Sequence, residues 1–314
     1  MLAVEWPLQR ATIGGAEPLR LHLRVSEESM HLNAMKQRVP ICIDEYGRRA
    51  WESAVRATSI PRPSLVGHTD KVINRAYFKM REIMLSCSLP KPLFSLHLGE
   101  APGGFVQAIS EGALDKWSWK AVSLGREGAP QPMDALLPLQ VGGFLKDLPH
   151  DGDLLEADCV ERVIEDVGIG TTQLVTADGA VDMDHNRLEK EHFGLLVAQT
   201  NIALSCLEKG GYFVCKFFEG SMYETRLWIA DVSTRFETVC IIKPTWSRST
   251  NSERYLVARV FEGNREPLCK VGSLSKGWHD DVMNIINRMC EEQSKALEQA
   301  LHYADITRKA LSPR

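Results

Sequence analysis

None of the eight cysteines in this 314-residue chain belongs to a C-x-x-C pair. That excludes a zinc knuckle and a thiol-redox motif, and no metal is expected. No stretch approaches the roughly 18 consecutive apolar residues of a membrane span. The opening residues, MLAVEWPLQR, do not place a basic segment before an apolar one, so no secretory signal is expected. With unpaired cysteines, this points to an intracellular, reducing location. An excess of positive charge is missing too: 37 Lys and Arg stand against 41 Asp and Glu, for a net charge of −4. A protein that coats nucleic acid is thereby excluded, whereas a local basic patch is not. Internal repeats and low-complexity tracts are absent.

What is present is the pattern of a large globular chain, 44% hydrophobic and 25% charged. Residues 1–65 read as an N-terminal extension of mixed character, with a strand suggested by the alternation over Leu19–Val25. Pro61 and Pro63 break that pattern, and a boundary is placed near Gly67. Over residues 66–265, apolar strands alternate with amphipathic helices. Helices are expected at 70–87, from Phe105, and at 189–208, the last ending on Gly210-Gly211 as a C-cap. Strands are expected at Leu93–Leu98, Ala121–Leu124, Gln173–Thr176, Tyr212–Phe217, Thr238–Ile242 and Arg254–Phe261, the last two as an antiparallel pair. Cys215 and Cys240 lie in apolar runs and read as buried, reduced thiols. The fold class that follows is α/β, a mostly parallel sheet with an antiparallel C-terminal strand pair and helices on both faces. Residues 266–314 form a C-terminal helical extension, with one helix at 276–311 packing through Val282, Ile285, Ile286 and Met289.

One turn stands out: Gly99-Glu100-Ala101-Pro102-Gly103-Gly104-Phe105 leads from a strand into a helix. Small residues there let the backbone approach a ligand, and open α/β sheets bind ligands in this crevice. The helix N-terminus behind it offers N–H groups to a carboxylate. The turn is neither a G-x-G-x-x-G fingerprint nor a P-loop.

Here the sequence resembles the FtsJ-like ribose 2′-O-methyltransferases, over roughly residues 70–262. The resemblance implies a Rossmann-like methyltransferase fold and S-adenosylmethionine as cofactor, held by Gly99 to Phe105, Leu124, Asp153, Leu154 and Asp178. Asp153-Leu154 resembles the segment that contacts the adenine ring, and Asp153 could equally cap the helix that follows. Four stretches resemble the family's catalytic motifs: Asn74–Met80, Val175–Gly179, Gly210–Lys216 and Lys243–Tyr255. They supply Lys79, Asp178, Lys216 and Glu253 as the Lys-Asp-Lys-Glu catalytic set. A ribose 2′-hydroxyl holds its proton tightly, so a base is needed. Lys216, in an apolar strand, is expected to serve, its pKa lowered by burial and by the Lys79 cation. Asp178 and Glu253 are expected to orient the two ammonium groups.

The partner implied is RNA. Ala177-Asp178-Gly179 and Asn251-Ser252-Glu253-Arg254-Tyr255 resemble mRNA cap enzymes, and Ser123-Leu124-Gly125 lacks the acidic residue of many rRNA-type members. A cap-proximal nucleotide is therefore the expected substrate, with rRNA or tRNA the alternative and a catalytically weak RNA-binding scaffold a third. Two basic clusters could contact phosphates: Lys71, Arg75, Lys79 and Arg81, then Lys243, Arg248, Arg254 and Arg259. Arg75 and Arg248 are the candidates singled out. Trp6, Trp51 or Trp246 could stack a cap base. His97 stands where the family has Asp, which is expected to weaken cofactor binding unless Glu100 compensates.

Overall fold

The computed structural model describes residues 5–8, 26–58, 72–111, 113–126, 128–132, 141–181, 188–268 and 276–311. Central strands are apolar on both faces, as a sheet covered on both sides requires. Phe213 and Cys215 face one core cluster and Val214 the other; Leu256 and Ala258 alternate in the same way with Tyr255 and Val257.

The strands are β1 (Glu5–Leu8), β2 (Phe94–Leu98), β3 (Ser118–Val122), β4 (Val141–Phe144), β5 (Thr172–Ala177), β6 (Leu207–Phe218), β7 (Phe236–Ile242) and β8 (Glu253–Phe261). They form one sheet in the order β1-β7-β8-β6-β5-β2-β3-β4. From β4 to β6 every pairing is parallel. β8 lies antiparallel between β6 and β7, the expected pair, and β1 adds a further antiparallel strand on β7. The chain leaves β2 toward β3 and β4, then returns to the other side of β2 as β5. The carboxyl ends of β2 and β5 are thus the switch point where such sheets bind ligands.

The helices are α1 (Glu27–Tyr46), α2 (Arg48–Thr58), α3 (Arg75–Ser86), α4 (Gly104–Ser110), α5 (Ala157–Val167), α6 (Leu188–Cys206), α7 (Tyr223–Ser233) and α8 (Lys276–Leu311). One face of the sheet carries α3 and α4. The other carries α5, α6 and α7, with α1 and α8 packed on that cluster.

Two expectations need correction. Gly210-Gly211 does not cap α6, which ends at Cys206. The glycines lie in β6, where the register jumps from Thr172↔Leu207 to Leu174↔Tyr212, so the chain bulges there. The 70–87 helix begins only at Arg75, because the Asn74 side chain accepts the Ala76 N–H and caps it. Residues 27–58 fold as α1 and α2, and the seam Leu32, Met35, Val39, Cys42, Tyr46 packs α1 on the core and α8. The Leu19–Val25 strand and the Gly67 boundary lie outside the described residues. All seven described cysteines are buried and unpaired by disulfide, Cys215 and Cys240 among them. No helix among the described residues is long and apolar enough to cross a membrane.

Candidate active site

Four loops meet at the carboxyl edge of the sheet. The Gly99 and Glu100 N–H groups donate to Val122 O, and Asp178 N–H donates to Leu98 O at 3.0 Å. Ala101 N–H donates to Ser123 Oγ at 2.7 Å, and Gly125 N–H to Asp151 O at 2.7 Å. Gly99 has φ +66°, and a Cβ on it would lie 2.2 Å from Gly179 Cα. Only glycine permits this approach of the β2 turn to the β5 turn. Gly104 is equally constrained, its Cβ position lying 2.1 Å from Asn74 Oδ1 at the cap of α3. The crevice is therefore fastened to the helix that carries Lys79.

The residues expected to hold S-adenosylmethionine gather at this crevice. Gly99, Ala101, Pro102 and Gly103 form its small-residue turn, half-buried Leu124 and buried Leu154 give it apolar wall, and Asp153 supplies a carboxylate. Asp153 Oδ1 accepts the Leu155 N–H at 3.0 Å, and Oδ2 lies 3.8 Å from Arg126. Asp153 shapes this turn and does not cap α5, whose N-cap is Glu156. The Glu100 and Phe105 side chains turn inward. Glu100 Oε1 accepts the Phe105 and Val106 N–H groups at 2.8 and 2.9 Å, so the α4 terminus is already capped rather than open to a ligand. Burial pushes the Glu100 carboxyl up to about 8. Phe105 packs in the core against Tyr255.

His97 has no exposure, and its two ring nitrogens meet Ser95 Oγ at 2.8 Å and Thr176 Oγ1 at 2.7 Å. Trp117 Nε1 completes this buried network by donating to Ser95 Oγ at 3.0 Å. Burial pushes the His97 pKa down to about 3, so the ring is neutral. Both ring nitrogens are used inside the sheet, and the ring offers no free group to a ligand.

The four expected catalytic residues converge. Lys79 Nζ reaches both Glu253 oxygens, Oε1 at 2.7 Å and Oε2 at 2.8 Å. Lys216 Nζ lies 3.1 Å from Asp178 Oδ1 and donates to Asp178 O at 2.5 Å. Burial alone would raise the Glu253 carboxyl, but the Lys79 and Lys216 charges together hold it down at about 2. That anion is attracted to both ammonium groups and offsets their repulsion. Two contributors were not singled out from the sequence. Tyr255 donates from its hydroxyl to Asp178 Oδ1 at 2.7 Å, and Ser247 donates to Glu253 Oε1 at 2.6 Å. Tyr255 was findable: it sits two residues from Glu253 on β8, hence on the same face.

Helix α3 presents one stripe to the β7–β8 connection. Arg75 donates to Trp246 O, Phe78 stacks on Trp246 at 4.1 Å, Lys79 takes Glu253, and Glu82 accepts from Thr245 N and Oγ1 at 2.8 Å each. Residues 75, 78, 79 and 82 follow helical spacing. The basic clusters are therefore dispersed. Arg81 pairs with Glu111, Lys243 donates to Asn251 and Glu253 carbonyls, Arg254 is buried, and Arg259 donates to Cys87 O. Arg248 is exposed. Lys71 and the Trp6 side chain lie outside the described residues. Trp51 packs between helices, away from this edge, and one face of Trp246 is covered by Phe78.

Residues 72–261 match the family model of the FtsJ-like methyltransferases. The ribosomal RNA large subunit methyltransferase E of Methanosphaera stadtmanae is 27% identical over 206 residues, 62% of this chain and 89% of that protein. Its namesake from Paramagnetospirillum magneticum is 34% identical over 204 residues, 62% of this chain and 75% of that protein. A cap-specific mRNA (nucleoside-2′-O-)-methyltransferase of Autographa californica nuclear polyhedrosis virus is 35% identical over 120 residues, 38% of this chain and 45% of that protein. With the match spanning well over half of its length, the chain belongs to the FtsJ-like methyltransferase family and is an S-adenosylmethionine-dependent RNA 2′-O-methyltransferase.

Proposed function

We propose that Lys216 is the general base of the transfer, in a Lys79–Asp178–Lys216–Glu253 set, and that the acceptor is a cap-proximal nucleotide of mRNA. The observation that carries the first part is the seat of Lys216: its Nζ is held by Asp178 at the carboxyl edge, beside the Gly99 turn. When bound, S-adenosylmethionine supplies a sulfonium methyl, a ready electrophile. Lys216 in its amine form would take the 2′-hydroxyl proton at Nζ as the oxygen gains the methyl and the carbon–sulfur bond breaks, the neutral thioether being the leaving group. Asp178 keeps the amine aimed, and Tyr255 keeps Asp178 from swinging away. Lys79 and Glu253 place a fixed cation and anion beside the reacting oxygen. Holding these groups in line, rather than any single charge, supplies much of the rate.

Lys216→Met is expected to abolish methyl transfer while calorimetry shows unchanged S-adenosylmethionine binding. Full transfer by that variant overturns the base assignment. Absent cofactor binding by the wild-type chain favours a scaffold instead.

Two features support the cap substrate: the motif Asn251–Tyr255 and the 35% identity with a viral cap enzyme. Within that motif, Asn251 and Glu253 backbone oxygens both hold Lys243, fixing the turn that presents Glu253. Arg248, exposed on the same turn, would meet an RNA phosphate. The second reading, ribosomal RNA, is favoured by relatives of which this chain spans 89% and 75%. Comparing transfer to capped RNA, the same RNA uncapped, and a ribosomal RNA fragment decides. Cap dependence supports the first, and equal transfer to uncapped RNA sinks it. In this reading residues 66–265 are the methyltransferase domain, with 1–65 and 266–314 as its additions.

A further inference from the structure

Lysine and glutamate almost never bury their charged ends without a partner. Lys36 on α1 and Glu219, just after β6, do so together: Nζ lies 2.6 Å from Oε2, and each side chain is only 9% exposed. Among the described residues the other Glu219 oxygen is buried with no hydrogen-bond partner, and Lys36 is the side chain bonded to the carboxylate. Removing one member of such a pair is costly, because it strands the other charge.

The main chain of Glu219 makes this pair consequential. Glu219 lies three residues beyond Lys216. Its N–H donates to Ser252 O at 3.0 Å, and its carbonyl accepts from the Arg254 guanidinium. Ser252 and Arg254 flank Glu253. One residue thus ties the strand of Lys216 to the strand of Glu253, beyond the end of the β6–β8 ladder, whose last pair is Phe218↔Glu253.

Helix α8 holds the same bridge from another side. Its buried seam runs through Val282, Ile286, Met289, Gln293, Leu297 and Ala300. Gln293 is the one amide in that apolar series, and it is 2% exposed. Its Nε2 donates to Ser252 Oγ at 3.2 Å and to Thr250 O at 3.1 Å. Arg254 also reaches Cys290 Sγ, one turn earlier, at 3.9 Å. An apolar residue at 293 would pack the seam without reaching the turn.

Resting on the base assignment above, we infer that Lys36 and Gln293 are positioning residues for methyl transfer. They act through the Glu219–Ser252–Arg254 bridge, which sets Lys216 and Glu253 relative to one another. The helices outside the family match are then part of the catalytic apparatus rather than appendages.

The test measures kcat, cofactor affinity and melting temperature on the full chain, with the RNA that wild type methylates best. Lys36→Met is expected to lower kcat at least tenfold and to lower the melting temperature. Lys36→Met/Glu219→Gln removes the stranded charge, so stability recovers while kcat stays at least tenfold down. Gln293→Leu is expected to lower kcat severalfold at unchanged melting temperature. Cofactor Kd stays within twofold of wild type in all three. A purely structural role predicts that kcat returns with stability in the double variant; that result, or wild-type kcat in Gln293→Leu, overturns the inference. Lys216→Met is run alongside. Full activity there sinks the base assignment and this inference together, whereas its inactivity beside unaffected positioning variants sinks this inference alone.

Discussion

Lys79 and Glu253 are separated by 174 residues of chain, yet the ammonium on α3 meets both carboxylate oxygens at the start of β8. Their side chains are 13% and 9% exposed, so neither charge is well served by water. Glu253→Ala is expected to destabilise by about 3–5 kcal/mol, the usual cost of stranding one member of a buried pair. Lys79→Met/Glu253→Ala should recover part of that loss in urea denaturation. Equal stability of Glu253→Ala and wild type would show that the pair does not hold α3 on the sheet.

Much of this arrangement was legible beforehand, for identifiable reasons. The strands of the parallel core announce themselves as apolar runs, and the Gly99–Gly104 turn by its small residues. Lys216 stood out because a charge follows an apolar strand. The α1–α8 pairing was not read, although Leu32, Met35, Val39, Cys42 and Tyr46 keep a heptad-like spacing. Pro40 inside α1 and the polar residues between these positions blur the pattern. The fate of the arginines was illegible in principle: Arg254 looks like a surface charge until β8 is paired and α8 covers it. Glu100 likewise reads as a ligand contact in sequence, because nothing local shows its carboxyl folding back onto α4.

The Gly99 turn gives a sharper steric prediction. Alanine there would need φ near +66° and a Cβ 2.2 Å from Gly179 Cα, a backbone atom that cannot rotate away. Gly99→Ala is expected to cost more than about 2 kcal/mol and to abolish measurable S-adenosylmethionine binding in calorimetry. Retained wild-type affinity would mean that the two turns can separate without loss of the cradle.

Acid should unfold the protein early. Burial holds His97 at about 3 and His192 at about 4, both below the 6.5 of an exposed ring. The unfolded chain therefore takes up protons that the folded chain refuses as pH falls through 6.5. Each ring removes about 1.4 kcal/mol of stability per pH unit once well below that value. His97→Gln and His192→Gln should each flatten the slope of stability between pH 4.5 and 6. An unchanged slope in both would show that these rings protonate in the folded state. Below about 4.5 Glu253, held at about 2, adds its own loss in the same direction.

Glu100 acts from the alkaline side. Its carboxyl is raised from 4.5 to about 8, so the folded chain keeps a proton that the unfolded chain has released. Stability contributed by that bound proton declines as pH rises from about 4.5 and stops declining above about 8. Between 4.5 and 6.5 the two histidines outweigh it; above 6.5 they no longer titrate, and from about 7 buried Lys243 opposes it, because the unfolded chain keeps the proton that folded Lys243 releases. Glu189, also raised by burial, adds to the decline that Glu100 causes. Glu100→Gln keeps an oxygen for the Phe105 and Val106 N–H groups but removes the titration. That variant should gain on the order of a few kcal/mol over wild type by pH 8, and should show no gain at pH 4. Melting temperatures collected from pH 4 to 9 for the two proteins provide the check: parallel curves would mean that Glu100 is ionised in the fold at neutral pH, and that the helix N–H pair outweighs its burial.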